Sequence, residues 1–540
     1  MTGQQPSAPP TAPGADDVAT RIAAGYAASG PALEFGAVVH GGTTHPDAQV
    51  RVPLAMLNRH GLIAGATGTG KTKTLQLLTE QLSAAGVPVV VADVKGDLSG
   101  LAQPGPGGDR VARRAEQTGD AWAPAAFPVE FLSLGGLGTG VPVRATVTGF
   151  GPTLLAKVLG LNATQESSLG LVFHYADKAG LPLLDLKDLR SVLTWLTSDE
   201  GKADLTGLGG LSPATAGVIL RDLISLEDLG GDVFFGEPEW QPADLMRTAP
   251  DGRGIVSAVE LAAVQDRPGL FSTFLLWLLA ELFEDLPEVG DVDRPKLVFF
   301  FDEAHLLFTG ASKAFLTSVT QTVRLIRSKG VGVFFVTQNP GDLPAEVLGQ
   351  LGNRVQHALR TFTPEDAKAL SRTVSTFPRT KDYDLEEVLT TLGIGEALVT
   401  VLSERGAPTP VAWTMLRSPR SLMGQVDPAE QERAVAASPL QERYGPALDR
   451  ESAYERLAAR LAPPPAPAPS RPTAAEARAD RPPAGGEPSR GRDERADGGA
   501  GEVVTKVLGS SAFRAFARSA ASALGREITR GILGTRSRRR

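Results

Sequence analysis

The chain has 540 residues, 42% hydrophobic and 21% charged, with a formal net charge of −7. That length exceeds one ordinary hydrophobic core, so two or three domains are expected, and the acidic balance excludes a surface coated in positive charge, leaving only a local site for nucleic acid. The absence of cysteine excludes disulfides, zinc–thiolate sites and thiol nucleophiles and suits a cytoplasmic location, while six histidines leave little for a histidine metal site.

Residues 1–16, rich in Pro, Ala and Gly, read as disordered and carry no signal-peptide pattern. Residues 17–150 read as the first part of a sheet domain. Asp17–Ala28 suggests an amphipathic helix and Leu33–His40 a strand. Leu62-Ile63-Ala64 is a short apolar strand, followed by a glycine-rich stretch and a helix over Thr74–Ala85. Val87–Asp93 is a continuous apolar run ending in an acid, the pattern of a strand buried on both faces. Residues 96–126 lack periodicity and read as a surface loop. Strands are expected at Val129–Leu134 and Val141–Val147. Residues 151–230 turn helical and read as an insertion, with Asn162 and Ser212 as helix N-caps.

Residues 231–420 return to alternating strands and helices. A strand at Gly254–Glu260 precedes an apolar helix over 271–285, which is too short to span a bilayer and carries Glu281 and Glu284. Then come a strand over Lys296–Glu303, a helix over Ser312–Ser328, and strands at Val331–Thr337, Val355–Leu359 and Glu396–Leu402. Strands and helices alternating at these lengths predict an α/β fold with an open, mostly parallel sheet. Residues 421–462 read as a helical extension and 463–500, poor in large apolar residues, as a disordered linker. In 501–540, Leu508, Ala512, Phe516, Ala520, Leu524, Ile528 and Ile532 recur every four residues. Arg514, Arg518, Arg526 and Arg530 run along another face, which predicts a basic amphipathic helix of net charge +7.

The chemistry-bearing stretch is Gly65-Ala66-Thr67-Gly68-Thr69-Gly70-Lys71-Thr72, which fits G-x-x-x-x-G-K-[ST] between a strand and a helix. Glycines let the backbone N–H groups turn toward phosphate oxygens, and the helix N-terminus adds its positive end. Lys71 would reach the β- and γ-phosphates and Thr72 a Mg²⁺ ion. Asp302 and Glu303, at the end of a buried strand expected beside the phosphate-loop strand, suit a metal-holding acid and a general base for water. Gln338 follows another strand and could sense the γ-phosphate. Arg324 and Arg327 lie on a helix end from which an arginine could enter a neighbouring subunit. Asp302-Glu303-Ala304-His305 also invites comparison with DEAH-type RNA helicases, whose other motifs are not visible.

The order of phosphate loop, Asp93-Val94-Lys95-Gly96-Asp97, Phe-Phe-Phe-Asp-Glu-Ala-His and Val-Thr-Gln-Asn-Pro resembles the HerA/FtsK branch of P-loop ATPases, and within it the bacterial YjgR-like group. The closer likeness lies in Gly151-Pro152 through Thr164-Gln165-Glu166, Gly231–Pro238, Arg324–Gly332 and Leu351–Arg360, and spans about residues 30–420. It implies a RecA-like core, ATP and Mg²⁺ as ligands, and a hexameric ring around DNA. It assigns Lys71, Thr72 and neighbouring Lys73 to the nucleotide, Thr72 and Asp302 to the metal, Glu303 to water, Gln338 to sensing and Arg327 to a trans finger. Arg59 and Asp93 match positions at the nucleotide pocket. HerA proper carries a β-barrel ahead of its ATPase, and the seventy residues before Lys71 are too few for one. The expected activity is therefore a Mg²⁺-dependent ATPase, a DNA translocase or helicase-type motor working as a homo-oligomer. The alternative is an ATP-gated assembly factor that meets a membrane surface or a protein through residues 501–540.

Overall fold

The computed structural model describes residues 15–290, 292–308 and 313–461. The expected linker at 463–500 and basic helix at 501–540 lie outside the described residues, as does nearly all of the segment 1–16. Twelve strands form one sheet: β1 (Ala32–His40), β2 (Thr43–Pro53), β3 (Gly61–Ala64), β4 (Val89–Asp93), β5 (Val129–Leu134), β6 (Val141–Val143), β7 (Val256–Glu260), β8 (Leu297–Phe301), β9 (Val331–Thr337), β10 (Asn353–Gln356), β11 (Glu396–Thr400) and β12 (Ala412–Leu416). Their order is β2-β1-β12-β11-β10-β3-β9-β8-β4-β7-β5-β6. From β10 to β6 every pair is parallel, and from β10 outward to β2 every pair is antiparallel.

The central parallel strands β3, β4, β8 and β9 are almost wholly apolar because both faces are covered. Leu62, Ala64, Val90, Ala92, Phe299, Phe301, Val333 and Phe335 face one core, which also takes in the helical insertion and the apolar helix Pro268–Asp285. Their alternates Ile63, Val89, Val91, Val298, Phe300, Phe334 and Val336 face the other, with Leu75, Leu78 and Leu82 of the helix Lys71–Ala84. Asn162 and Ser212 both cap helices. The Asn162 side chain accepts from the backbone of Thr164 and Gln165, and Ser212 accepts from that of Thr215. Among the described residues no helix is long and apolar enough to cross a membrane.

Several elements depart from the sequence reading. The strand carrying Asp302 and Glu303 does not lie beside the phosphate-loop strand; β9 separates β8 from β3. Residues 96–126 are not all loop, since Asp109–Thr118 is a helix. Its polar run buries only Val111 and Thr118, too little apolar surface to register as a period. β2 was not expected because Pro46 and Asp47 interrupt it; it is an edge strand, where a missing N–H costs no ladder bond. β12 and the helices Pro364–Val374 and Leu385–Thr391 were also unread. Strand β6 ends at Val143, and Thr146 instead caps a short helix, Val147–Phe150.

After β12 the chain runs as a strap across the phosphate-loop helix. Glu80 on that helix is 2% exposed and accepts from the backbone N–H groups of Arg420 (2.8 Å) and Ser421 (2.9 Å) and from the Ser421 hydroxyl. Gln76 donates to the Ser421 hydroxyl oxygen at 2.6 Å and to the Leu422 carbonyl at 3.0 Å. Replacing Glu80 with Ala strands two backbone donors, each costing about 1–3 kcal/mol when left unpaired and buried. The expected outcome for E80A is an unfolding midpoint several degrees lower and faster tryptic cleavage after Arg420, with E80Q less affected. A midpoint and cleavage rate equal to those of the unaltered chain would show that other contacts hold the strap.

Candidate functional site

The parallel register brings the carboxyl ends of six strands to one rim. Ala64 pairs with Thr337 and Gln356, and Phe301 with Phe335 and Ala92, while Asp93 pairs with Glu260. The residues just beyond these ends are therefore neighbours: Gly65, Gln338, His357 and the pair Asp302-Glu303. Ligands of open α/β sheets bind at this rim because the loops there are free of the ladder while the strands beneath are rigid.

The phosphate loop leaves β3 with Gly65, Gly68 and Gly70 at φ of 151°, 79° and 119°. Gly70 precedes the helix Lys71–Ala84, whose start has no side-chain cap. A 14-residue helix thus ends in N–H groups without intrahelical acceptors beside an exposed Thr67-Gly68 turn. A side chain at Gly68 would meet open space, whereas one at Gly65 would strike His357 Cβ at 2.5 Å. The loop therefore has an open face toward solvent and a closed one toward His357.

Lys71 is nearly buried, and its ammonium donates to the carbonyls of Gly65 at 2.7 Å and Ala66 at 3.2 Å. Burial holds its pKa below the ordinary lysine range, against the opposing pull of Glu303. A lysine folded onto its own loop is well placed to exchange those carbonyls for phosphate oxygens. Thr72 is half-buried in the first turn. Burial likewise lowers Lys73, which donates to Gln76 Oε1 at 3.2 Å and so points toward the strap.

Asp302 is 2% exposed. Its Oδ1 accepts from the Glu303 N–H at 2.9 Å, and its Oδ2 is buried without a hydrogen-bond partner among the described residues. Burial and the adjacent Glu303 charge push its carboxyl up to about 7. An orphaned, desolvated carboxylate oxygen on the same rim as a Thr-bearing helix start is what an oxygen-coordinated divalent cation fits; Thr72 and Asp302 would hold Mg²⁺ there. Glu303 takes a left-handed backbone, φ 47°, unusual for a residue with a side chain. Its Oε1 accepts from the Lys95 ammonium, and its Oε2 lies 3.3 Å from His305 Nδ1.

Other expected residues fall in different places. Gln338 is exposed at the end of β9, one step past Thr337 and level with Gly65. Asp93 is fully buried, and its oxygens accept from the backbone of Lys95 (3.1 Å), Gly96 (2.8 Å) and Leu98 (2.8 Å). It shapes the loop that carries Lys95. Arg59 lies at the opposite end of β3 from the phosphate loop, a strand length of roughly 13 Å away. Arg327 stands before β9 at that same opposite rim and is exposed, as is Arg324. Both Arg59 and Arg327 approach His60, which burial first and then these charges push down to about 4. Neither arginine lies on the rim of its own phosphate loop.

Three residues of the site were not singled out from sequence. His357 is fully buried and linked to Thr74 Oγ1 (2.8 Å) and the Glu396 carbonyl (2.9 Å), and its N–H donates to the Ala64 carbonyl. Burial, with Lys71 nearby, pushes it down to about 4, so it braces the loop as a neutral ring. Lys95 pairs with Glu303. Glu260, at the end of β7, is pushed up to about 8 by burial and the Asp93 charge. Lys95 and Glu260 stood in quoted or predicted strand ends, but nothing in the linear pattern said which acid or base they would meet.

A family model described as "Helicase HerA-like C-terminal" matches residues 39–540. Comparison with curated proteins gives no match. Among solved structures, the bacterial conjugative coupling protein TrwBdeltaN70 is similar at 16% identity and a TM-score of 0.48, over 75% of this chain and 94% of that one. Plasmid coupling protein TrwB in complex with the ATP analogue ADPNP is similar at 17% identity and a TM-score of 0.47, over 74% of this chain and 99% of that one. VirB4 of Thermoanaerobacter pseudethanolicus is similar at 15% identity and a TM-score of 0.44, over 75% and 99%. With the phosphate loop and acid pair at one rim, the chain belongs to the HerA-like helicase C-terminal family and is a P-loop ATPase.

Proposed function

We propose that the protein is a DNA translocase or helicase-type motor working as a ring of identical subunits. The observation that carries this reading is the separation of Arg327 from its own phosphate loop. Lys71, Asp302, Glu303 and Gln338 share one rim of the sheet, while Arg327 is exposed at the other. A finger on the far rim can complete a site only in a neighbour, which makes hydrolysis depend on assembly.

The chain's own residues then have separable roles. Lys71 exchanges the Gly65 and Ala66 carbonyls for β- and γ-phosphate oxygens, and the N–H groups at the helix start hold the same phosphates. Thr72 and Asp302 would hold Mg²⁺, which would supply neutralising charge to the phosphates. Gln338 and Glu303 flank the position of the attacking water. Glu303 takes its proton as the water oxygen bonds to the γ-phosphorus and the bond to the ADP oxygen breaks. In the assembled ring, Arg327 of each subunit meets the charge that develops at its neighbour's γ-phosphate. Loop movement at this rim would pull on DNA through backbone phosphates, the contact an acidic protein makes locally.

E303Q is expected to lower kcat for ATP by two orders of magnitude or more while nucleotide binding persists. R327A is expected to be similarly slow, and mixing R327A with E303Q subunits to recover activity, since intact sites form between them. DNA is expected to raise the rate and the solution mass to be that of a ring. A rate indifferent to DNA with no DNA bound, or mixtures no more active than either variant, would overturn the motor reading while leaving the ATPase. Liposome flotation with and without residues 501–540 tests the other reading: tail-dependent binding to anionic vesicles would support a membrane-associated factor.

A further inference from the structure

The loop after β4 is fixed at several points. Asp93 accepts three of its backbone N–H groups, as described above. The strap holds it from outside: Gln425 Nε2 donates to the Lys95 carbonyl at 3.0 Å, the Val426 N–H donates to Ser99 Oγ at 3.1 Å, and the Leu422 N–H donates to the Gln103 carbonyl at 2.9 Å. A side chain at Gly100 would strike the Leu422 and Gly424 carbonyls, both at 2.2 Å, so strap and loop run in direct contact. The backbone under Lys95 is therefore held, while its side chain is 48% exposed. At its tip the ammonium sits on Glu303, a carboxylate whose own side chain is only 8% exposed.

We infer that Lys95 is a positioning residue that holds Glu303 away from water until a γ-phosphate draws the ammonium off it. The inference rests on the ATPase reading above. Lys95 sits on Oε1 and His305 Nδ1 lies 3.3 Å from Oε2, so both oxygens of Glu303 face protein groups. A general base must be within hydrogen-bond reach of the proton it abstracts, so this geometry is a resting one. Lys71 and Lys95 both feel the charge of this acid pair. Lys71 is nearly buried and bound to its own loop, whereas Lys95 can leave. A γ-phosphate brings more negative charge to the rim than the single carboxylate Lys95 holds, and its arrival competes for the ammonium. The same swing frees Glu303 when the triphosphate is present. Because the loop is clasped by the strap, a partner that shifted residues 420–426 would also move Lys95.

The test is steady-state ATP hydrolysis by the full chain with Mg²⁺, without DNA, comparing the unaltered protein, K95A, K95R and K95A/E303Q. K95A is expected to raise kcat roughly fivefold with KM unchanged, the scale of a half-exposed ion pair. K95R, which keeps the cation, is expected to bring the rate back down, and K95A/E303Q to be as slow as E303Q. A lower kcat in K95A would overturn the inference by making Lys95 a promoter of the reaction. A raised KM alone would make it a nucleotide contact, and unchanged constants would make the ion pair idle; both outcomes also overturn it. If the unaltered protein hydrolyses no ATP, with or without DNA, it is the ATPase reading that fails.

Discussion

Everything at the site depends on register in the parallel half of the sheet. β10, β3, β9, β8, β4 and β7 run the same way, and their ends are level because each strand is buried on both faces. A slip of one residue in any of them would turn its apolar set from one core to the other. Burial on two sides therefore fixes the height at which Gly65, Asp302, Gln338 and His357 emerge. The chemistry is assembled by hydrophobic packing well below it.

Above that platform the rim gathers charge that water does not screen. Asp93, Asp302 and Glu303 are buried, and so nearly is Lys71. Desolvation raises Asp93 to about 6 and Asp302 to about 7. Such carboxylates are costly alone and become favourable when a cation arrives, so the site is poised to gain from binding a metal and a polyphosphate. Asp93 offsets its burial with three backbone donors, and Glu303 Oε1 with Lys95; among the described residues Asp302 Oδ2 has no hydrogen-bond partner, and Glu303 Oε2 has only the 3.3 Å approach of His305. The division is physical: one acid builds a loop, one is held in reserve, and one presents a lone pair.

The opposite rim is built differently. His60 takes a left-handed backbone at φ 58°, its Nδ1 accepts the Val333 N–H at 3.0 Å, and Asn353 donates to its carbonyl at 2.9 Å. These contacts tie the starts of β3, β9 and β10 together. They also set Arg59 and Arg327 on the side away from the phosphate loop.

Much of this was legible without coordinates. The phosphate loop announced itself because its glycines and lysine are contiguous, and the buried strands because two-sided burial writes continuous apolar runs such as Leu297–Phe301. Hairpin β1–β2 carried a Gly41-Gly42 signal, with φ of 60° and 76°, that Pro46 obscured. Helix Asp109–Thr118 and strand β12 left weaker traces, being largely polar or brief. What the chain order alone determined is the set of parts: which residues can grip phosphate, metal and water, and on which kind of element each sits. What only tertiary structure decided is who meets whom. The insertion of β9 between β3 and β8, the seat of Lys95 on Glu303, the brace of His357 behind Gly65 and the exile of Arg59 and Arg327 to the far rim all join residues tens to hundreds of positions apart. Local pattern records the environment of a strand face, whereas pairing order and side-chain partners follow from the packing of the whole sheet.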